Sequence, residues 1–113
     1  MANDCIFCRI LAGEIPSTRV YEDDRFLVFK DINPAAPVHL LVIPKKHIAR
    51  LSEAGPDDRE LLGELLLTVG HVVREQELDA YRLIINDGAG AGQTVFHLHA
   101  HILAGRDLGE KLI

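Results

Sequence analysis

Between Phe96 and Leu103 the chain reads Phe-His-Leu-His-Ala-His-Ile-Leu, three histidines alternating with apolar residues. A period of two belongs to a strand, whose successive side chains point to opposite faces. The pattern therefore predicts His97, His99 and His101 on one face and Phe96, Leu98, Ala100 and Ile102 on the other. The apolar face needs a core to cover it, and the row of imidazoles needs hydrogen bonds, a metal or a ligand. Immediately upstream runs Asn86-Asp87-Gly88-Ala89-Gly90-Ala91-Gly92-Gln93-Thr94. Its three glycines free the backbone to turn N–H groups toward an anion. An imidazole row beside such a loop points to phosphoryl chemistry.

The remaining elements build a sheet around that segment. Ile6, Phe7, Ile10 and Leu11 predict a short helix over residues 4–11, stopped by Gly13 and Pro16. Strands are predicted at 19–22, 25–30, 39–44, 81–86 and 95–104. A long helix starts near Pro56-Asp57-Asp58 and runs to about Leu78, with Leu61, Leu62, Leu65, Leu66, Val69, Val72 and Val73 on one apolar face. Five strands without repeated helical crossovers predict an antiparallel α+β fold with one short and one long helix. At 113 residues, with no linker or internal repeat, residues 1–113 form one domain. The start of the chain lacks the basic and apolar runs of a secretory signal, and no segment is apolar enough to span a membrane, so a cytoplasmic protein is expected. A net charge of −5 gives no general attraction to a nucleic-acid polymer, so any nucleotide bound is a small molecule in a pocket.

Two chemistries suit the histidines: they chelate a metal, or one attacks phosphorus while the others hold oxygens. The glycine loop favours the second. In that reading the middle imidazole, His99, attacks through one ring nitrogen while the other donates to a backbone carbonyl. His101 donates to a phosphate oxygen, and the Thr94 hydroxyl relays a proton to the leaving group. Cys5-Ile6-Phe7-Cys8 has the spacing of half a tetrahedral zinc site, for which His47 and a triad histidine are the available nitrogens; the alternative is a pair of buried thiols. Asp31, where a strand hands over to a turn, either accepts two ribose hydroxyls or caps the turn. Phe7, Ile10, Phe29 and Ile32 either wall a base pocket or belong to the core. His71, on the long helix, is read as structural or exposed.

His97-Leu98-His99-Ala100-His101-Ile102-Leu103 matches the His-φ-His-φ-His-φ-φ signature, φ being apolar, of the histidine triad family. Glu14-Ile15-Pro16, Asp31-Ile32-Asn33-Pro34, Ile43-Pro44-Lys45-Lys46-His47 and Gly92-Gln93-Thr94-Val95-Phe96-His97 resemble its Hint branch, and nearly the whole chain is covered. The resemblance implies a homodimer with one continuous sheet, and a site for a purine nucleoside monophosphate. The implied activity is hydrolysis of nucleoside phosphoramidates. Carried over by position, His99 is the nucleophile, His97, His101 and His39 are supporting imidazoles, and Asn86, Gly92 and Thr94 surround the phosphate. Gln93 is placed with these nucleotide-binding residues, and Asp31 holds the ribose. Relatives with the amino-terminal cysteine pair imply structural zinc on Cys5, Cys8, His47 and His97, with no organic cofactor. Thr94 stands where serine is common, Ala100 is small for its position, and the chain has no tryptophan. Two alternatives remain: a dinucleoside polyphosphate hydrolase, and a zinc-stabilised nucleotide-binding module with little turnover.

Overall fold

The computed structural model describes residues 4–111. Strands β2 (Phe26–Lys30) and β3 (Val38–Pro44) carry the longest apolar runs and are buried along nearly their whole length. Strands buried on both faces belong in the middle of a sheet covered from two sides. The sheet runs β1 (Arg19–Glu22), β2, β3, then β5 (Ala100–Ala104), then β4 (Arg82–Ile84), with every neighbouring pair antiparallel. The last strand thus returns to lie beside β3. There Leu41 faces His101 and His39 faces Leu103, so His39 and His101 are diagonal neighbours on one face.

The two faces are covered unequally, and this creates the site. On one face Val28, Leu40, Val42, Ala100 and Ile102 share a core with Leu61, Leu65, Val69, Val72 and Val73 of the long helix α2 (Arg59–Glu75). Each of the Val, Leu and Ile side chains among these contributes roughly 1.5–3 kcal/mol by leaving water. On the other face Leu27, Phe29, Leu41 and Ile43 pack against Phe7 and Ile10 of helix α1 (Ile6–Leu11). A helix of 6 residues cannot cover what one of 17 covers. The uncovered part of this second face is where the imidazoles stand.

The ordered elements are shorter than their sequence patterns. Residues 95–99 leave the ladder: the Leu98 N–H donates to Ile48 O at 2.6 Å instead of to a strand partner. The alternation of faces survives, since Leu98 lies in the α2 core while His97 and His99 meet Phe7. Phe96 departs from that alternation and is 42% exposed. With β5 beginning at Ala100, the strand predicted at 81–86 finds partners only for Arg82, Leu83 and Ile84. In α2 the apolar face is narrower than expected, because Leu66 is 56% exposed while Thr68 is buried. The helix ends at Glu75, before Leu78, where Glu77 turns to a positive φ of 54°. Gly105 closes β5 with φ 96°, and a Cβ there would lie 2.8 Å from Pro37 Cβ, so the turn requires glycine. Among the described residues no helix is long and apolar enough to cross a membrane.

Candidate active site

Main-chain groups fix the proton on each triad imidazole. His99 Nδ1 donates to His97 O at 2.7 Å, which leaves its Nε2 with a free lone pair. The ring stands edge-on to Phe7, centroids 5.0 Å apart. Burial lowers its pKa below 6.5, more than the bond to His97 O and the Asp31 charge raise it, so the ring is neutral near pH 7.

His101 has the opposite tautomer. The Ala35 N–H donates to His39 Nδ1 at 3.0 Å, so His39 carries its proton on Nε2. That nitrogen is 2.9 Å from His101 Nδ1 and 3.4 Å from an Asp31 carboxylate oxygen. His101 therefore accepts at Nδ1 and holds its proton at Nε2, a buried atom with no hydrogen-bond partner among the described residues. A buried unpartnered donor is costly unless a ligand meets it. Burial, then the neighbouring His99 and His39, push the His101 pKa down to about 4. His39 is lowered too, by burial against the opposing pull of Asp31. Asp31, His39 and His101 lie close enough to hold a metal, but their polar atoms already serve one another as a hydrogen-bond relay.

His99 and His101 line a cavity of about 320 Å³ with Phe7, Ile10, Phe29, Asp31, Ile32 and Thr94. Asp31 lines the cavity, and one of its oxygens accepts the Asn33 N–H at 2.8 Å and so caps the turn. Lining residues not anticipated from the sequence include Ile15, Pro16 and Ser17, in the loop after α1, and Leu41 of β3. Pro16 had stood out as a helix stop and, with Glu14 and Ile15, as part of the family resemblance, but not as a cavity residue. His39 acts from behind His101, and His97 faces elsewhere.

Gln93 differs most from its expected place. Its side chain is turned inward and is only 2% exposed. Its Oε1 accepts the Gly88 N–H at 2.8 Å, and its Nε2 donates to Ala49 O at 2.8 Å and Val95 O at 3.0 Å. With every polar atom engaged, this amide holds the glycine loop and has nothing left for a nucleotide. Asn86 and Gly92 are adjacent, a Cβ on Gly92 falling 3.8 Å from Asn86 Nδ2, but neither lines the cavity. Arg50 and Asp87 add an anchor unforeseen from the sequence: Arg50 Nε donates to Asp87 at 2.7 Å, and the Ser52 N–H donates to its second oxygen at 2.7 Å.

His97 belongs to a separate cluster. It is fully buried and its Nε2 donates to Pro44 O at 2.7 Å, so its Nδ1 lone pair faces the sulfurs of Cys5 and Cys8 at 3.2 and 3.5 Å. His47 Nδ1 lies 3.4 Å from Cys8 Sγ. Cys5 also caps α1, its sulfur accepting the Cys8 N–H at 3.3 Å. The four ligand atoms lie within 4.8 Å of one another. Two sulfurs and two nitrogens, one with its tautomer set by a carbonyl, form a donor set that suits a soft divalent ion. Burial, then Cys5, push the Cys8 thiol up to about 11, and a cation there would favour the thiolate.

Comparisons with known proteins agree with this fold. The family model described as HIT domain matches residues 12–108. An uncharacterised HIT-like protein of Synechocystis is 57% identical over 107 residues, covering 94% of each chain. Among solved structures, a HIT family hydrolase from Clostridium thermocellum superposes with TM-score 0.93 at 47% identity over 97% of both chains. One from Legionella pneumophila gives 0.90 at 46% identity, over 94% of this chain and 96% of its own. The triad, the sheet that carries it and these relatives together show that the chain belongs to the HIT, or histidine triad, family.

Proposed function

We propose that the chain hydrolyses purine nucleoside phosphoramidates, or related acyl nucleotides, through a nucleotide bonded to His99. The observation that carries this reading is the pairing of opposite tautomers in one cavity: a free lone pair on His99 Nε2 and a free N–H on His101 Nε2. His99 attacks phosphorus, and the P–N bond of the substrate breaks as the new N–P bond forms. The departing amine keeps the electron pair and takes a proton from solvent, relayed by the Thr94 hydroxyl in the cavity wall. His101 Nε2–H donates to a phosphoryl oxygen throughout. Water then attacks phosphorus, the bond to His99 breaks, and the nucleoside monophosphate leaves. Phe7, Ile10, Phe29 and Ile32 hold the base, and Asp31 the ribose. Adenosine phosphoramidate is expected to release AMP, read by chromatography; no release would overturn the reading. The names of the solved relatives as hydrolases support it. The dinucleoside polyphosphate and binding-only alternatives predict, respectively, faster cleavage of a dinucleotide and no cleavage at all.

The pH profile is a further test. His101 must stay neutral to accept from His39 at Nδ1, and its pKa is held at about 4. A lowered pKa keeps the neutral form over a wider acid range than free imidazole, and burial lowers His99 as well as His101, so the acid limb of kcat/KM should lie below 6.5. It should fall at the pH where His99 Nε2 takes up a proton, below 6.5, and be lost by about 4, where His101 does so as well. Loss beginning above neutrality would contradict the tautomers assigned to the pair.

Zinc is the metal proposed for Cys5, Cys8, His47 and His97. Bound there it would cross-link α1 to His47 and to the segment bearing His99, a structural role. Elemental analysis of protein purified without added metal should find about one equivalent of zinc, and Cys5→Ser, Cys8→Ser protein should find less than about a tenth. Copper or iron at stoichiometry in the unaltered protein would reject the assignment. We also propose a homodimer joined along β4. Among the described residues this strand pairs on one side only, with β5, and Leu66 is left open on α2. Sedimentation equilibrium should give twice the mass of one chain, and a monomer at micromolar concentration would refute it.

A further inference from the structure

A second cavity, of about 370 Å³, adjoins the first and shares Ile6, Thr94 and Val95 with it. We propose that this cavity receives the group displaced from phosphorus, and that it selects amines with an aromatic or apolar body over leaving groups that carry negative charge. The proposal rests on the phosphoramidase reading and deepens it.

The shared wall carries the argument. Thr94 is the hydroxyl common to both cavities, so a phosphorus held beside His99 has its substituent within reach of the second space. Ile6, in the shared wall, is 50% exposed, and Phe96, on the far wall, is 42% exposed. Phe96 lies in a segment whose other apolar residues are packed, Leu98 in the α2 core and Val95, half-buried, against the cluster on the opposite face. An aromatic left open beside a catalytic cavity offers a stacking surface. Charge then narrows the ligand. Asp4 is the one carboxylate on the wall, Cys5 and His47 belong to the sulfur cluster, and no lysine or arginine lines the cavity among the described residues. A polyphosphate or carboxylate leaving group would enter without a cationic partner, beside the Asp4 carboxylate. A neutral or cationic amine meets no such cost. The step balances as already written: the P–N bond breaks, its electron pair and one proton go to the amine, and the amine departs through this space.

Three AMP phosphoramidates separate the outcomes, made with methylamine, 2-phenylethylamine and 3-aminopropanoate. The protein should cleave the 2-phenylethylamine compound with a kcat/KM about tenfold above that of the methylamine compound, as expected for burying one aromatic ring. The 3-aminopropanoate compound should be the slowest. Phe96→Ala should bring the first two to within about twofold of each other. Asp4→Asn should raise the relative rate of the 3-aminopropanoate compound. An unaltered protein without preference, or a preference that persists in Phe96→Ala, overturns the subsite. Fastest cleavage of the 3-aminopropanoate compound overturns the charge argument. Cleavage of none of the three by the unaltered protein overturns the phosphoramidase reading itself, a result that appears before any variant is made.

Discussion

His99→Ala is expected to lower turnover of adenosine phosphoramidate by about 10⁴-fold or more, while AMP binding stays within about tenfold. The asymmetry follows from where the ring sits. Its Nδ1 is held by His97 O at 2.7 Å, and only Nε2 is available to phosphorus. The walls that would grip base and ribose come from Phe7, Ile10, Phe29, Asp31 and Ile32, on other elements. His99→Asn, which refills part of the space, should show the same loss, and rapid-quench experiments on it should find no nucleotide attached to protein. Calorimetry with AMP measures the other half of the claim. Turnover retained by either variant would remove His99 as the nucleophile, and equal losses of binding and turnover would recast it as a binding residue.

Gln93→Ala should destabilise the fold by about 3 kcal/mol, because truncation strands the Gly88 N–H and the carbonyls of Ala49 and Val95 in a buried place. Urea denaturation measures this. The same change should weaken the substrate complex, since Gly88 carries a φ of 95° and a Cβ there would lie 3.0 Å from the Arg50 guanidinium; the loop fits only one arrangement. Gln93→Glu keeps the acceptor toward Gly88 but sets a buried carboxylate oxygen against the carbonyls of Ala49 and Val95, and should be at least as unstable as Gln93→Ala at neutral pH. A loss of affinity for AMP without a loss of stability would restore Gln93 to direct contact with the nucleotide.

Much of the fold was legible because its signals are local. The period-two pattern around the triad, the apolar runs of β2 and β3, and the spacing of Leu61, Leu65, Val69, Val72 and Val73 each identify an element from a few neighbouring residues. Strand ends were not, because a strand stops where its partner stops, and pairing depends on distant residues. The Leu98 N–H turning to Ile48 has no sequence signal. Side-chain direction was the other gap. Gln93 sits in a glycine loop that reads as an anion site, yet its amide faces the interior, a choice made by Ala49, which lies 44 residues upstream. Ile15, Pro16 and Ser17 reach the cavity only because the loop after α1 folds back over the sheet, again a matter of tertiary packing.

Polarity in a row of imidazoles is ordinarily ambiguous, since each ring can swap donor and acceptor ends and the whole row can reverse together. Here the row begins at the amide of Ala35, a group that can only donate. Its direction is thereby imposed from outside the catalytic segment, and the hydrogen on the outermost ring always points the same way. Each substrate arrives at a site already set, with no rearrangement of protons to await.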